Sequence, residues 1–329
     1  DVFPQALLYL RIYLMGMPVI LLYNFEAAIF RSVGETRVPL VALAMSGVLN
    51  VLLNLFFVAV LHMTVNGVAI ATVMANAFSS ALLFRRLLRS GKDIRLEPRR
   101  LRMDGRSLWM ILRIGLPAGL QSAVFAISNI VIQSAINSLG KVVMAASSAA
   151  YNIEVFAYDV MNSYNQACTT FVGQNYGAGQ IRRCRKTLYL CLIEDAVSLG
   201  ATVALVLLTG HFLLSIFNND PQVIALGYDR LKIVFFAYIF SLLYEVMSGY
   251  LRGFGISLVP AALTALGVCG IRIAWIHFVF PQHPTLQTIM TSYPVSLSAT
   301  ALMIFIALLC YRPARKHAAM EREPAPAGN

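Results

Sequence analysis

RSVGETRVP, residues 31–39, returns 221 positions later as RGFGISLVP, residues 252–260. Arginine, glycine, valine and proline coincide at four of the nine places, and each copy lies between two long apolar stretches. Tyr9 and Arg11 also match Tyr228 and Arg230 if two residues of slack are allowed. The apolar segments around the first copy (6–29, 39–61 and 65–84) therefore read as a second version of those around the last (222–250, 258–280 and 287–311). Segments 108–137, 143–172 and 187–209 stand without a partner.

Nine segments of this length have one reading. A hydrocarbon core about 30 Å thick needs about 20 apolar residues in a helix. Barrel strands are shorter and alternate apolar with polar residues, and these do neither. Of the 329 residues, 58% are hydrophobic and only 12% charged, with a mean hydropathy of +0.70. Soluble domains run near 25% charged, so a soluble enzyme, a disordered chain and a disulfide scaffold are excluded. The fold class expected is an all-α polytopic membrane protein with nine transmembrane helices. Cys168, Cys184, Cys191, Cys269 and Cys310 form no CxxC pair and read as small buried residues, with no metal site.

The net charge of +11 is compatible with nucleic acid, but its placement argues for a membrane surface. With nine spans, 20 of the 26 Lys and Arg fall on one side. They are Arg31 and Arg37, the run from Arg85 to Arg106, Arg182, Arg183, Arg185 and Lys186, Arg252, and the tail from Arg312 to Arg322. The opposite loops hold only Lys141. Lys and Arg gather on the cytoplasmic side, so the tail is expected inside and the start of the chain outside. Three helices before residue 1 would meet that orientation and also give segments 108–209 their partners. The expected whole is a twelve-helix protein of two like-oriented halves related about the membrane normal. Residues 1–88 are then the latter half of the first lobe, 89–107 a basic cytoplasmic linker, 108–312 the second lobe, and 313–329 a cytoplasmic tail.

Two such bundles can rock about a central cleft with substrate near the midplane. Ionisable groups inside spans are costly and usually face a cavity or a partner. Glu154, Tyr158, Asn162, Gln166 and Thr170 recur every four residues, and Asn129, Gln133 and Asn137 make a matching stripe on the preceding segment. These stripes are expected to enclose a wet substrate cavity, with Glu154 answering to H⁺ or Na⁺. Asn50 and Asn54, one turn apart, can offer side-chain oxygens to a hard cation, with Thr72 as a third ligand. Glu26 and Glu245 precede the two repeated turns and are further titratable candidates. Glu194 and Asp195 are expected to be paired within the bundle. Arg11, Asp229, Arg230 and Lys232 are expected to snorkel from span ends. Arg113 and Arg272 are the chief buried bases.

GQNYGAG, residues 173–179, suits a helix stop, and the missing Lys-Ser/Thr argues against a phosphate loop. The five histidines form no HExxH pair, and nothing resembles a catalytic triad. No enzyme activity is expected.

Four stretches together resemble the multidrug and toxic compound extrusion (MATE) family. They are YNFEAAIFRSVGETRVPL (23–40), NVLLNLFFV with GVAIATV (50–58, 67–73), GLPAGLQSAVFAISN (115–129) and TFVGQNYGAG (170–179). Their order matches the family from its fourth helix to its twelfth. The resemblance implies a two-lobed antiporter in the cell membrane that exchanges Na⁺ or H⁺ for small amphipathic, often cationic compounds. It implies no cofactor beyond that ion, no nucleic acid, and a monomer. It places a first-lobe cation site on Asn50, Asn54 and Thr72, although Asn54 stands where some members have Asp. A glutamate that another branch places eight residues beyond a proline falls on Phe125 here. The alternative expectation is a flippase for lipid-linked or polysaccharide precursors.

Overall fold

The computed structural model describes residues 3–91 and 94–313. Lys92 in the basic linker and the tail bases Arg315, Lys316 and Arg322 lie outside the described residues. The structure is helical nearly throughout: α1 Phe3–Ser32, α2 Arg37–Leu55, α3 Val65–Leu88, α4 Gly105–Ser138, α5 Lys141–Gly177, α6 Ile181–Ser215 and α7 Pro221–Gly253. After these come α8 Leu258–Thr264, α9 Ile271–Phe278 and α10 Leu286–Tyr311. A π-helical turn, Phe56–Val60, prolongs α2, and another, Ala265–Gly270, joins α8 to α9. Ten α-helices thus make nine rods among the described residues, as the hydropathy pattern predicts. Eight are long and apolar enough to cross a membrane. The ninth, α5, is set apart by Glu154, Asp159 and its amides. The protein is a multi-pass membrane protein.

Local chemistry starts several helices. Asp104 accepts from the Ser107 amide ahead of α4, Asp220 from the Gln222 amide ahead of α7, and Thr285 from the Thr288 amide ahead of α10. At the exposed Asp104 the hydrogen bonds from the Ser107 hydroxyl and amide hold the carboxyl below its ordinary range.

Surface and interior follow a bilayer rather than water. Leu208, Phe156 and Phe212 are among many large apolar side chains that lie outside, where a soluble monomer would not gather them.

The described residues form two compact units, divided between Met103 and Asp104. In the first, α1 and α2 pack on α3 around Ala27, Phe30, Ala42, Leu83 and Leu87. In the second, α5, α6 and α10 pack around α7, which buries eighteen residues. The α5–α7 contact is especially close. A Cβ on Gly249 would lie 2.5 Å from Asn165 Oδ1, and one on Gly253 would lie 2.6 Å from Val172.

Candidate functional site

A cavity of about 530 Å³ opens in the second unit. Its walls come from α4, α5, α7, α9, α10 and the π turn before α9. Four of the expected lining residues face it: Asn129 from α4 and Glu154, Tyr158 and Asn162 from α5. Phe125, at the position where the resemblance would put a glutamate in another branch, also lines it.

Glu154 is already matched. Arg230 Nε donates to its Oε1 at 2.7 Å and Nη2 to its Oε2 at 2.8 Å. The two side chains are 4% and 3% exposed. This corrects the expectation that Arg230 snorkels. It lies two turns into α7, where α5 and α10 cover it, and a forked guanidinium meets both carboxylate oxygens. Removing one partner of such a buried pair typically costs about 3–5 kcal/mol. A proton or Na⁺ at Glu154 must therefore compete with a guanidinium. Asp229 and Lys232, by contrast, pair at 2.7 Å on the exposed side of the helix.

Glu245 is placed differently. It is buried, lines the cavity, and takes a hydrogen bond from Asn165 Nδ2 at 2.5 Å and a long one from the Tyr158 hydroxyl at 3.5 Å. Among the described residues no cation forms an ion pair with it. Arg252, also on the cavity, donates from Nη2 to Gln121 Oε1 at 2.8 Å.

Asn165 was missed by the four-residue spacing. At 3.6 residues per turn, twelve residues from Glu154 to Gln166 drift about 120°, whereas eleven to Asn165 drift about 20°. Gln166 is accordingly exposed and outside the cavity wall. Gln133 and Asn137 also lie outside it. They are exposed, and Gln133 Nε2 donates to Asn137 Oδ1 at 2.8 Å, one turn along the same helix. With Thr170, which continues the same drift beyond Gln166, four of the expected lining residues thus lie off the cavity wall.

On α6, Glu194 is exposed while Asp195 is 0% exposed, and neither Asp195 oxygen has a hydrogen-bond partner among the described residues. The pairing expected for this couple is corrected: Asp195 shares a face with Cys184, Leu188, Cys191 and Leu199, which offer no strong donor. Arg113, expected to be buried, is exposed.

In the first unit, Asn50, Asn54 and Thr72 come together. Asn54 Nδ2 donates to Asn50 Oδ1 at 3.0 Å, and Asn50 Nδ2 to Thr72 Oγ1 at 3.5 Å. Asn54 Oδ1 is buried with no hydrogen-bond partner among the described residues. Glu26 is not part of this trio. It accepts from Ser80 Oγ at 2.9 Å, and Ser80 lies eight residues beyond Thr72, about 12 Å along α3. Among the described residues no three His, Cys, Asp or Glu are grouped to hold a metal ion.

The sequence and fold can now be set beside known proteins. The MatE family profile matches residues 117–276, which includes most of the cavity wall. Over this stretch the chain is similar to the MATE family. A second profile, the lipid II flippase MurJ, matches residues 5–144. Among curated MATE-like relatives, the probable multidrug resistance protein YoeA of Bacillus subtilis is 22% identical over 306 residues, covering 90% of this chain and 66% of the relative. Its companion YpnP, from the same species, is 26% identical over 271 residues, covering 82% of this chain and 60% of the relative. The chain thus spans about two thirds or less of these relatives. Among solved structures, a MOP superfamily transporter from Pyrococcus furiosus superposes with a TM-score of 0.85 at 20% identity, over 97% of this chain and 71% of that one. An outward-facing multidrug resistance MATE transporter gives a TM-score of 0.84 at 19% identity, with 97% and 70% covered. The MATE fold accounts for the helical layout; the side chains in the cavity are this chain's own.

Proposed function

We propose that this protein exports small amphipathic compounds from the cell in exchange for Na⁺ or H⁺, by alternating access. The observation that carries the reading is Glu245: a buried carboxyl that opens on a cavity, accepts from Asn165 and Tyr158, and forms no ion pair among the described residues. Such a group binds a small cation more readily than Glu154, which has to release Arg230 first. Asn50, Asn54 and Thr72 form a second, weaker oxygen cluster, since neutral amides alone hold a cation poorly. The aromatic faces of Tyr151, Tyr158 and Tyr244 supply a tolerant wall that attracts organic cations.

Exchange requires that cation and substrate prefer different conformations, because a ligand with equal affinity for both shifts nothing. One charge crossing about 100 mV contributes about 2.3 kcal/mol. The protein acts as a transporter, works as a monomer, and needs no cofactor beyond the coupling ion. Uptake of a cationic dye into vesicles holding the full chain, under imposed Na⁺ or pH gradients, tests this. One gradient should drive uptake, and Glu245→Gln should stop it. Uptake indifferent to both gradients would overturn the exchange reading.

The flippase alternative has one observation in its favour, the MurJ match over residues 5–144. Scrambling of a fluorescent lipid-linked precursor in the same vesicles, with no dye uptake, would replace export by flipping.

A further inference from the structure

Arg230 and Arg272 are both buried guanidiniums of the second unit, yet they are treated in opposite ways. Arg230 spends two of its donors on Glu154. Arg272, on α9 and 6% exposed, has no carboxylate partner among the described residues. Its Nε donates to Ser296 Oγ at 2.9 Å, and its guanidinium carbon lies 4.0 Å from the centre of the Tyr293 ring. Neither Nη group has a hydrogen-bond acceptor among the described residues, and the side chain lines the cavity. Ser296 and Tyr293 therefore hold the planar fork at the cavity wall, with its outer donors not taken up by an acceptor among the described residues.

A buried cation in a span is costly unless an anion or a polar cavity meets it. Stacking on Tyr293 offsets part of that cost, and Ser296 offers one neutral acceptor. The donors left over have the geometry that takes an oxyanion in two parallel hydrogen bonds. Apolar and aromatic surface lies within the same cavity, at Phe125, Tyr151, Val268 and Leu297.

We infer that Arg272, held by Ser296 and Tyr293, is an oxyanion subsite of this cavity, so that it binds amphiphiles bearing a carboxylate, sulfonate or phosphate beside an apolar body. The inference rests on the cavity being the place where the proposed substrates bind, and it widens their class from organic cations to organic acids.

The test compares three ligands that share a naphthalene body: 1-naphthalenesulfonate, the uncharged 1-naphthalenemethanol and the cationic 1-naphthylmethylammonium. Binding is measured by equilibrium dialysis on the full chain in phosphatidylcholine nanodiscs, with empty discs as the blank. The sulfonate should bind about tenfold or more tightly than the alcohol. Arg272→Gln should remove that preference while leaving alcohol and ammonium binding in place. Arg272→Lys keeps the charge without the fork and should retain part of the preference, which guards against a variant that simply misfolds. Equal binding of sulfonate and alcohol by the unaltered protein overturns the inference, as does a preference that survives Arg272→Gln in monodisperse protein.

Discs doped with phosphatidylglycerol separate two sources of the oxyanion. Competition with the sulfonate that vanishes in Arg272→Gln assigns the subsite to a lipid head group. Undiminished sulfonate binding assigns it to a soluble amphiphile. The dialysis needs no gradient. Loss of driven uptake with the sulfonate preference intact would sink the exchange reading alone, and the reverse result would sink the subsite alone.

Discussion

The turn after α1 and the turn after α7 share one backbone and serve two chemistries. In each, a glycine with positive φ, Gly34 at +84° and Gly255 at +80°, donates its amide to the arginine carbonyl three residues back. The next amide, of Glu35 or Ile256, reaches back to Phe30 or Leu251. The register holds beyond the turn, for α3 begins at Val65 and α10 at Leu286, again 221 apart. Yet the carboxylates do not correspond. Glu26 stands five residues before its arginine and Glu245 seven before its own, which places them about 200° apart around the helix. The position equivalent to Glu245 is Asn24, which is exposed and bonds only to the Ile20 carbonyl. The position equivalent to Gly249 is Ala28, also exposed. A repeated backbone thus leaves open which face will be functional, and packing partners select it.

The largest expected effect separates Arg230 from its sequence counterpart Arg11. Glu154→Gln should destabilise the fold by about 3–5 kcal/mol, read as a fall in monodisperse yield and melting temperature. Adding Arg230→Gln should restore part of it, since no buried charge then stands alone. Arg11→Gln, at an exposed site, should stay within about 0.5 kcal/mol. If the Glu154→Gln loss is no larger than that, the two arginines are alike and the contrast fails.

Next comes Gly249→Ala. A Cβ there overlaps Asn165, and relief requires α5 to move, at a cost of about 1–3 kcal/mol. Ala28→Ser at the equivalent exposed place should have little effect. Thermal unfolding of both variants ranks them.

Removing charge at the two glutamates sharpens the comparison further. Glu245→Gln keeps shape and should halt gradient-driven uptake while changing stability by about 1 kcal/mol. Glu26→Gln should change both by less. Equal loss of uptake in the two variants would show that the halves share coupling evenly.

The smallest effect concerns the start of α4. Asp104 has its carboxyl held low in the folded state by Ser107. The stability it adds is therefore present above the ordinary carboxylate range and lost as pH falls through the lowered folded value. Amide exchange in the first turn of α4 should quicken with acid in the unaltered protein. In Asp104→Ala it should already be fast and insensitive to pH.

Much of the backbone was legible because it is local. Nine apolar runs, the stop at Gly173–Gly179 and the repeated Arg-x-x-Gly turn need only hydropathy and glycine's freedom, and each appears where expected. The trio Asn50, Asn54 and Thr72 was also readable, since one-turn spacing on α2 and a neighbouring helix suffice to bring it together. The cavity was half legible. Spacing named the polar face of α5, but a strict period of four ran ahead of the helix and ended on Gln166 instead of Asn165.

What the 329 letters settled alone is the membrane and the helices. Those follow from the free energy of apolar surface and from backbone groups that bond within one segment. Tertiary structure alone decided that Arg230 answers Glu154, that Asp195 has no hydrogen-bond partner among the described residues, and that Arg272 lines the cavity. Each depends on which side chains a distant helix brings within about 3 Å, and a charge far along the chain leaves no trace in the spacing of its partner.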